Sequence, residues 1–248
     1  MGASRRGSLR RGSTLSAGAG ILFDVGYCLM DETPRLDHAV SWLAQALTTS
    51  DTSPGAEDLH GAYLAACRRP EPGQPSLLVQ MLRSLGVPAE TTAALRRAVP
   101  WDAVPLVAYP ETVPALSHLR DAGFRLGILA NQPRSARADL DRAGIIPLCD
   151  GVWLSEAVGL AKPDPGFFRL ALEAWALTPG RVAYVGDRPD NDVAPARALG
   201  LTTVRIRRGP HAEQAPRTEA EQPDIEARDL VDAARRLVAW RATLDDAH

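Results

Sequence analysis

From Tyr109 onward, short apolar runs alternate with helix-patterned stretches, joined by links of only a few residues. Phe124-Arg125-Leu126-Gly127-Ile128-Leu129-Ala130, Gly151 to Leu154, Arg181 to Val185 and Thr202 to Ile206 read as strands. Helices at Pro110 to Ala122, Ser135 to Ala143, Pro165 to Ala176 and Asn191 to Leu199 precede and separate them, with Gly123, Gly144 and Gly200 as stops. A strand that returns parallel to its neighbour needs a crossover, and a helix is the usual one. This alternation therefore confines the chain to an α/β fold, a Rossmann-like parallel sheet with helices on both faces. His211 to Asp224 is polar and Pro-containing and reads as a surface loop, and Leu230 to Leu244 as a closing helix. The Arg205-Ile206-Arg207-Arg208 run fits a phosphate contact and equally fits alternation along an edge strand.

The sheet has an earlier strand. Ile21-Leu22-Phe23 is an apolar run that ends on Asp24, with Val25-Gly26 releasing the chain. Between the two halves nothing alternates with period two. Leu36, Val40, Leu43, Ala44 and Leu47 recur at helical spacing, and further helices fit Glu57 to Arg69, Ser76 to Leu85 and Ala89 to Ala98, with stops at 50–55 and 70–73. The expected division is an α/β core of residues 21–34 and 105–248, with a small α-helical domain inserted at 35–104. Residues 1–20, rich in Arg, Ser and Gly, are expected to form a disordered tail. Ser4-Arg5-Arg6 is similar to a twin-arginine export signal, but the apolar stretch behind it is too short and runs straight into Asp24.

A formal net charge of −2 provides no field to draw the chain to nucleic acid or an anionic membrane, so neither is an expected partner. No apolar run reaches membrane-span length. Cys28, Cys67 and Cys149 are odd in number, far apart and without a CxxC, which argues against a disulfide framework or zinc site and fits a reducing cytoplasm. Lys162 is the sole lysine, which excludes any mechanism needing a second one. The sequence is silent on oligomeric state.

Several strands end in polar residues: the first in Asp24, the next in Asn131, a later one in Asp187 with Asp192 close behind. Lys162 precedes the last of these. In a parallel sheet such ends converge on one edge, the usual ligand crevice. Asp24, Asp187 and Asp192 together would make an oxygen-rich site suited to Mg²⁺, since the cation lets three carboxylates sit close without one being protonated. Lys162 would add a point charge.

On these residues the chain resembles the haloacid dehalogenase superfamily, in its phosphatase-like branch with a helical cap of the first type. Asp24 matches the family nucleophile, Lys162-Pro163-Asp164-Pro165 its lysine motif, and Gly186-Asp187-Arg188-Pro189-Asp190-Asn191-Asp192 its acidic motif. The resemblance implies an Mg²⁺-dependent phosphatase acting on a small soluble phosphorylated metabolite. Asp24 would attack phosphorus and form an aspartyl-phosphate that water hydrolyses. Asp24, the Gly26 backbone carbonyl and Asp187 would hold the metal, Asp192 would complete or orient that shell, and Lys162 would stabilise the anionic transition state. Arg188 is a candidate substrate contact, with a solvated loop position as the competing reading.

Two positions depart from the family pattern. The acid/base Asp expected two residues after the nucleophile is Gly26, and such a group is worth about 10²–10⁴-fold. The Ser or Thr hydroxyl expected at the second motif is Ala130; either the Asn131 amide takes over its phosphate contact or anion binding is weaker. Cys28 replaces a Thr of the first motif. On this reading Gly26→Asp is expected to raise turnover of unactivated esters, and His38 is a stand-in acid unless it simply faces solvent. Two alternatives stand beside the phosphatase: a degenerate relative that binds a phosphorylated ligand or a partner without turnover, and a metal-independent 2-haloacid dehalogenase, which would have no use for the Asp187/Asp192 pair.

Overall fold

The computed structural model describes residues 18–48, 54–71 and 76–246. The expected disordered tail falls mainly on residues 1–17, outside the described ones, and so does most of the expected stop at 50–55. The expected tail of 1–20 is overrun at its end, where Ala19 and Gly20 already belong to the first strand, β1 (Ala19–Phe23). A two-residue strand β2 (Met30–Asp31) leads into four helices, α1 (Thr33–Leu47), α2 (Ala56–Arg68), α3 (Leu77–Ser84) and α4 (Ala89–Ala98), and β3 (Val107–Ala108) returns. The α/β half follows with α5 (Thr112–Asp121), β4 (Phe124–Ala130), α6 (Ala136–Arg142), β5 (Gly151–Leu154), α7 (Ser155–Val158) and α8 (Pro165–Trp175). After β6 (Val182–Gly186), one π-helical turn (Pro189–Val193) opens α9 (Ala194–Ala198); β7 (Thr202–Ile206), β8 (Ile225–Ala227) and α10 (Leu230–Asp246) complete the chain. None of the described helices is long and apolar enough to cross a membrane.

The six long-range strands form one parallel sheet in the order β5-β4-β1-β6-β7-β8. Successive residues of each strand face opposite sides, and both sides are apolar, as a parallel sheet covered on two faces requires. Ile21, Phe23, Leu126, Ile128, Ala183, Val185 and Val204 pack under α5 and α10. Leu22, Leu129 and Tyr184 face the other way, against Phe167, Phe168 and Trp175 of α8. Glycine is needed where α8 docks. A Cβ on Gly20 would stand 2.6 Å from the Trp175 ring, and one on Gly127 in the neighbouring strand 2.7 Å.

The helices α1–α4 have an apolar cluster of their own, built on Leu36, Val40, Leu43, Leu59, Leu78, Met81 and Leu95. They enter and leave through the antiparallel pair β2·β3, with Met30 beside Ala108 and Asp31 beside Val107. A buried ion pair fixes the root of α1: Arg35 reaches Asp139 at 3.1 Å and donates to the Val104 carbonyl.

Two expectations fail at the far edge of the sheet. β8 pairs outside β7, so β7 is internal, and Arg205 is 1% exposed rather than lying on an edge strand. Residues 211–224 are not simply a surface loop, because His211, Gln214 and Glu221 are buried. Arg205 gathers that segment, donating to the carbonyls of His211 at 2.9 Å and Gln214 at 2.8 Å.

Candidate active site

The sheet order reverses at β1, between β4 and β6, and the site lies at the carboxyl ends of those three strands. The Asp24 amide donates to the Val185 carbonyl at 2.8 Å, which carries the ladder one residue past β1 and fixes where this carboxylate stands. The Lys162 ammonium, 4% exposed as a residue, has three protons and three acceptors. These are Asp24 Oδ1 at 2.8 Å, Asp192 Oδ1 at 2.6 Å and the Tyr184 hydroxyl at 2.8 Å. Tyr184 in turn donates to the Leu129 carbonyl at 2.8 Å. Burial disfavours the charge on Lys162, but the two carboxylates more than offset it, and the net shift is upward. Asn131 clasps the lysine's own peptide: its Oδ1 accepts from Lys162 N at 2.8 Å and its Nδ2 donates to Lys162 O at 2.9 Å. The amide thus holds the lysine loop, while Ala130, fully buried, offers no hydroxyl.

Asp192 is 0% exposed and its oxygens are fully engaged. Oδ1 meets Lys162, and Oδ2 accepts from the amides of Asp187 at 3.1 Å and Arg188 at 3.0 Å. This close fold-back requires glycine at 186, where a Cβ would lie 2.5 Å from Asp192 Cβ. Asp187 differs from its neighbour. It is buried, yet its Oδ2 has no hydrogen-bond partner. Burial, then the charges of Asp192 and Asp24, push its carboxyl well above the usual range. Burial likewise raises Asp24, with Lys162 opposing. Single ligand atoms of Asp24, Cys28 and Asp187 lie within 4.8 Å of one another. An orphaned carboxylate oxygen beside a second carboxylate is what a divalent cation would satisfy, so the residues present fit Mg²⁺. Asp24 and Asp187 supply the hard oxygens. Burial and the nearby Asp187 charge raise the Cys28 thiol and keep it neutral, a poor ligand for that ion. Asp192 joins this group through Lys162 and the loop backbone rather than as one of the clustered ligand atoms.

The space in front of Gly26 is filled. A Cβ at that position would stand 2.7 Å from Glu32 Cδ and 2.8 and 2.9 Å from its two oxygens. Gln132 Nε2 donates to Glu32 Oε1. Burial lifts the Glu32 carboxyl to about 7, with Asp24 adding and the Gln132 hydrogen bond, Arg35 and Lys162 opposing. His38, half-buried further along α1, does not fill this space. The expectation that Gly26→Asp simply restores a missing group therefore meets a place already occupied by a carboxylate. Glu32, Gln132 and Tyr184 were not foreseen from the sequence.

Arg188 lies half-buried at the rim and pairs with Asp190, with contacts at 2.9 and 3.3 Å. Gln214 donates to the same Asp190 at 2.8 Å and meets His211 Nδ1 at 3.0 Å. Arg205 Nε reaches the Asp187 carbonyl at 3.2 Å, so the buried segment braces the acidic loop from behind. On α2, burial raises the Tyr63 hydroxyl, with Cys67, Tyr27 and Glu32 contributing.

This fold and this edge of the sheet define the chain as a member of the haloacid dehalogenase-like hydrolases, whose family model matches residues 19–200. It is 30% identical over 226 residues to a glyceraldehyde 3-phosphate phosphatase of Methanopyrus kandleri, covering 88% of this chain and 97% of the relative. A phosphoserine phosphatase of Thermus thermophilus is 37% identical over 123 residues, covering 49% of this chain and 48% of that protein. Among solved structures, a predicted phosphoglycolate phosphatase from Haemophilus somnus superposes with a TM-score of 0.70 at 17% identity, over 90% of this chain and 99% of the other, a likeness of fold.

Proposed function

We propose that the chain is an Mg²⁺-dependent phosphomonoester hydrolase that uses Asp24 as nucleophile on a small phosphorylated metabolite. The observation that carries this reading is the orphaned Asp187 Oδ2 beside an Asp24 whose other side is pinned by Lys162. Asp24 Oδ1 is taken by the ammonium, which leaves Oδ2 for in-line attack on phosphorus and formation of an aspartyl-phosphate. Mg²⁺ held by Asp24, Asp187 and the Gly26 carbonyl would supply positive charge between nucleophile and phosphate. Lys162 stabilises charge on the transferring group, Asn131 keeps that lysine in place, and Asp192 orients both the lysine and the Asp187 loop. With Asn131 spent on the lysine peptide and Ala130 bare, Arg188, half-buried at the rim beside Asp190, is a cationic group that would meet substrate. The names of the relatives favour a phosphate ester on a short carbon chain. Free Cys28, Cys67 and Cys149 fit a reducing cytoplasm.

A screen of three-carbon phosphates, sugar phosphates, nucleotides and acyl phosphates, with and without Mg²⁺ and with Asp24→Asn as blank, tests this. Metal-dependent phosphate release that Asp24→Asn abolishes is the expected result. The bare Ala130 favours a second reading, binding without turnover. Thermal stabilisation by phosphate esters with no phosphate released would select it. Halide release without a metal requirement would instead select displacement at carbon.

A further inference from the structure

We propose that Glu32 is the general acid and base of this site, standing in for the carboxylate that Gly26 lacks, an assignment that rests on the phosphatase reading above. A side chain growing from residue 26 would enter the Glu32 carboxylate, whose carbon and two oxygens are nearly equidistant from the Cβ site, at 2.7, 2.8 and 2.9 Å. The chain loses one carboxylate in front of the nucleophile and delivers another from six residues on. The path between them is fixed. Gly26 bridges to Met30, Tyr27 N donates to Met30 O at 2.8 Å, and Leu29 and Met30 amides return to Val25 O at 3.0 Å. The β2·β3 pair then sets the root of α1.

Among the described residues, the Glu32 side chain is held by Gln132 and closes no helix. It precedes α1 without making a side-chain cap; Asp31 Oδ1 accepts from Thr33 N at 2.9 Å instead. The nearby cations are engaged elsewhere, Arg35 with Asp139 and Lys162 with its three acceptors. Gln132 holds Oε1, and Oε2 lies 2.9 Å from where a Cβ of residue 26 would stand. Gln132 is itself held, its carbonyl accepting from Glu156 N and Ser155 Oγ, both at 3.3 Å.

In the first step Asp24 Oδ2 forms the bond to phosphorus, the ester P–O bond breaks, and the Glu32 carboxylic acid gives its proton to the departing alkoxide. In the second, the Glu32 carboxylate takes a proton from water as that oxygen attacks phosphorus. The P–O bond to Asp24 breaks, inorganic phosphate leaves, and both side chains return to their starting state.

Glu32→Gln keeps the shape and the Gln132 contact and removes only the proton transfer. Its turnover of glycerol phosphate should fall about 10²–10⁴-fold. With p-nitrophenyl phosphate, whose leaving group needs no proton, the second step alone stalls. Acid-quenched protein should then carry the mass of one phosphoryl group, absent when Asp24→Asn is added. A readout independent of catalysis is the melting temperature. Gly26→Asp should melt below wild type, and Gly26→Asp/Glu32→Gly, which moves the carboxylate back, should recover both melting temperature and turnover. Wild-type turnover in Glu32→Gln, or a double variant that melts no higher than Gly26→Asp, overturns the assignment alone. A wild-type chain that releases no phosphate and traps no adduct from any ester sinks the phosphatase reading, and this assignment with it.

Discussion

Tyr184→Phe removes one oxygen from the middle of the sheet and tests whether the lysine cage is what holds the site together. The hydroxyl is the third acceptor of the Lys162 ammonium, at 2.8 Å, and donates to the Leu129 carbonyl at 2.8 Å. Tyr184 is 1% exposed, so water has no easy route to replace either contact. The ring stays, packed edge-on against Phe168 with centroids 5.0 Å apart, so no cavity larger than the lost oxygen opens. A hydrogen bond to a charged group is worth roughly 1.5–3 kcal/mol net and a neutral one about half that, so the variant should lose about 2–4 kcal/mol. Urea unfolding followed by circular dichroism, in EDTA, measures this as a lower midpoint at unchanged m-value. The cage also predicts coupling. With Lys162→Met already present, the cost of Tyr184→Phe should shrink by about 1–2 kcal/mol, because the two side chains share one contact. A loss below about 0.5 kcal/mol, or costs that simply add, would show that the ammonium is not held by three acceptors.

The parts of the site that were readable in the sequence are those whose position follows from a single strand end. Asp24, Asn131 and Asp187 each close an apolar run, and parallel strands bring such ends to one edge whatever the details of packing. Glu32 could not be read that way. It reaches Gly26 only because the irregular segment 26–31 folds back through the Met30 bridge, a tertiary relation with no period in the sequence. Tyr184 left a fainter signal. A tyrosine within an otherwise apolar, fully buried strand needs a hydroxyl partner, which the fold supplies in the Lys162 ammonium and the Leu129 carbonyl. The misreading of β7 has a simple cause. β8 is three residues long with Glu226 at its centre, too short and too polar to register as a strand, and without it Arg205 stood on an apparent edge.

Asp187→Asn should abolish stabilisation by Mg²⁺: the wild-type melting temperature rises with added metal, by about 2.7 kcal/mol equivalent at a hundredfold excess over Kd, while the variant's stays flat. An equal rise in both proteins would place the ion elsewhere. His211 makes a pH prediction whose sign opposes that of Glu32. Burial, with Arg188 adding, lowers its pKa from 6.5 to about 4, so the folded protein binds fewer protons than the unfolded chain in that interval. Its contribution to stability is present above about pH 6.5 and is lost as pH falls toward 4. Glu32, raised from 4.5 to about 7, does the reverse, since its folded form holds a proton that the unfolded chain has released. The raw pH profile mixes the two, but the difference between wild type and His211→Gln cancels Glu32 and leaves the imidazole alone. That difference should shift by about 2 kcal/mol against the wild type between about pH 7 and about pH 5, taking 1.36 kcal/mol per unit of pKa. The measurement is urea unfolding of both proteins at each pH in EDTA. Parallel profiles would mean that His211 takes up its proton in the folded state, and that the segment Arg205 gathers is more open to water than its 4% exposure at His211 implies.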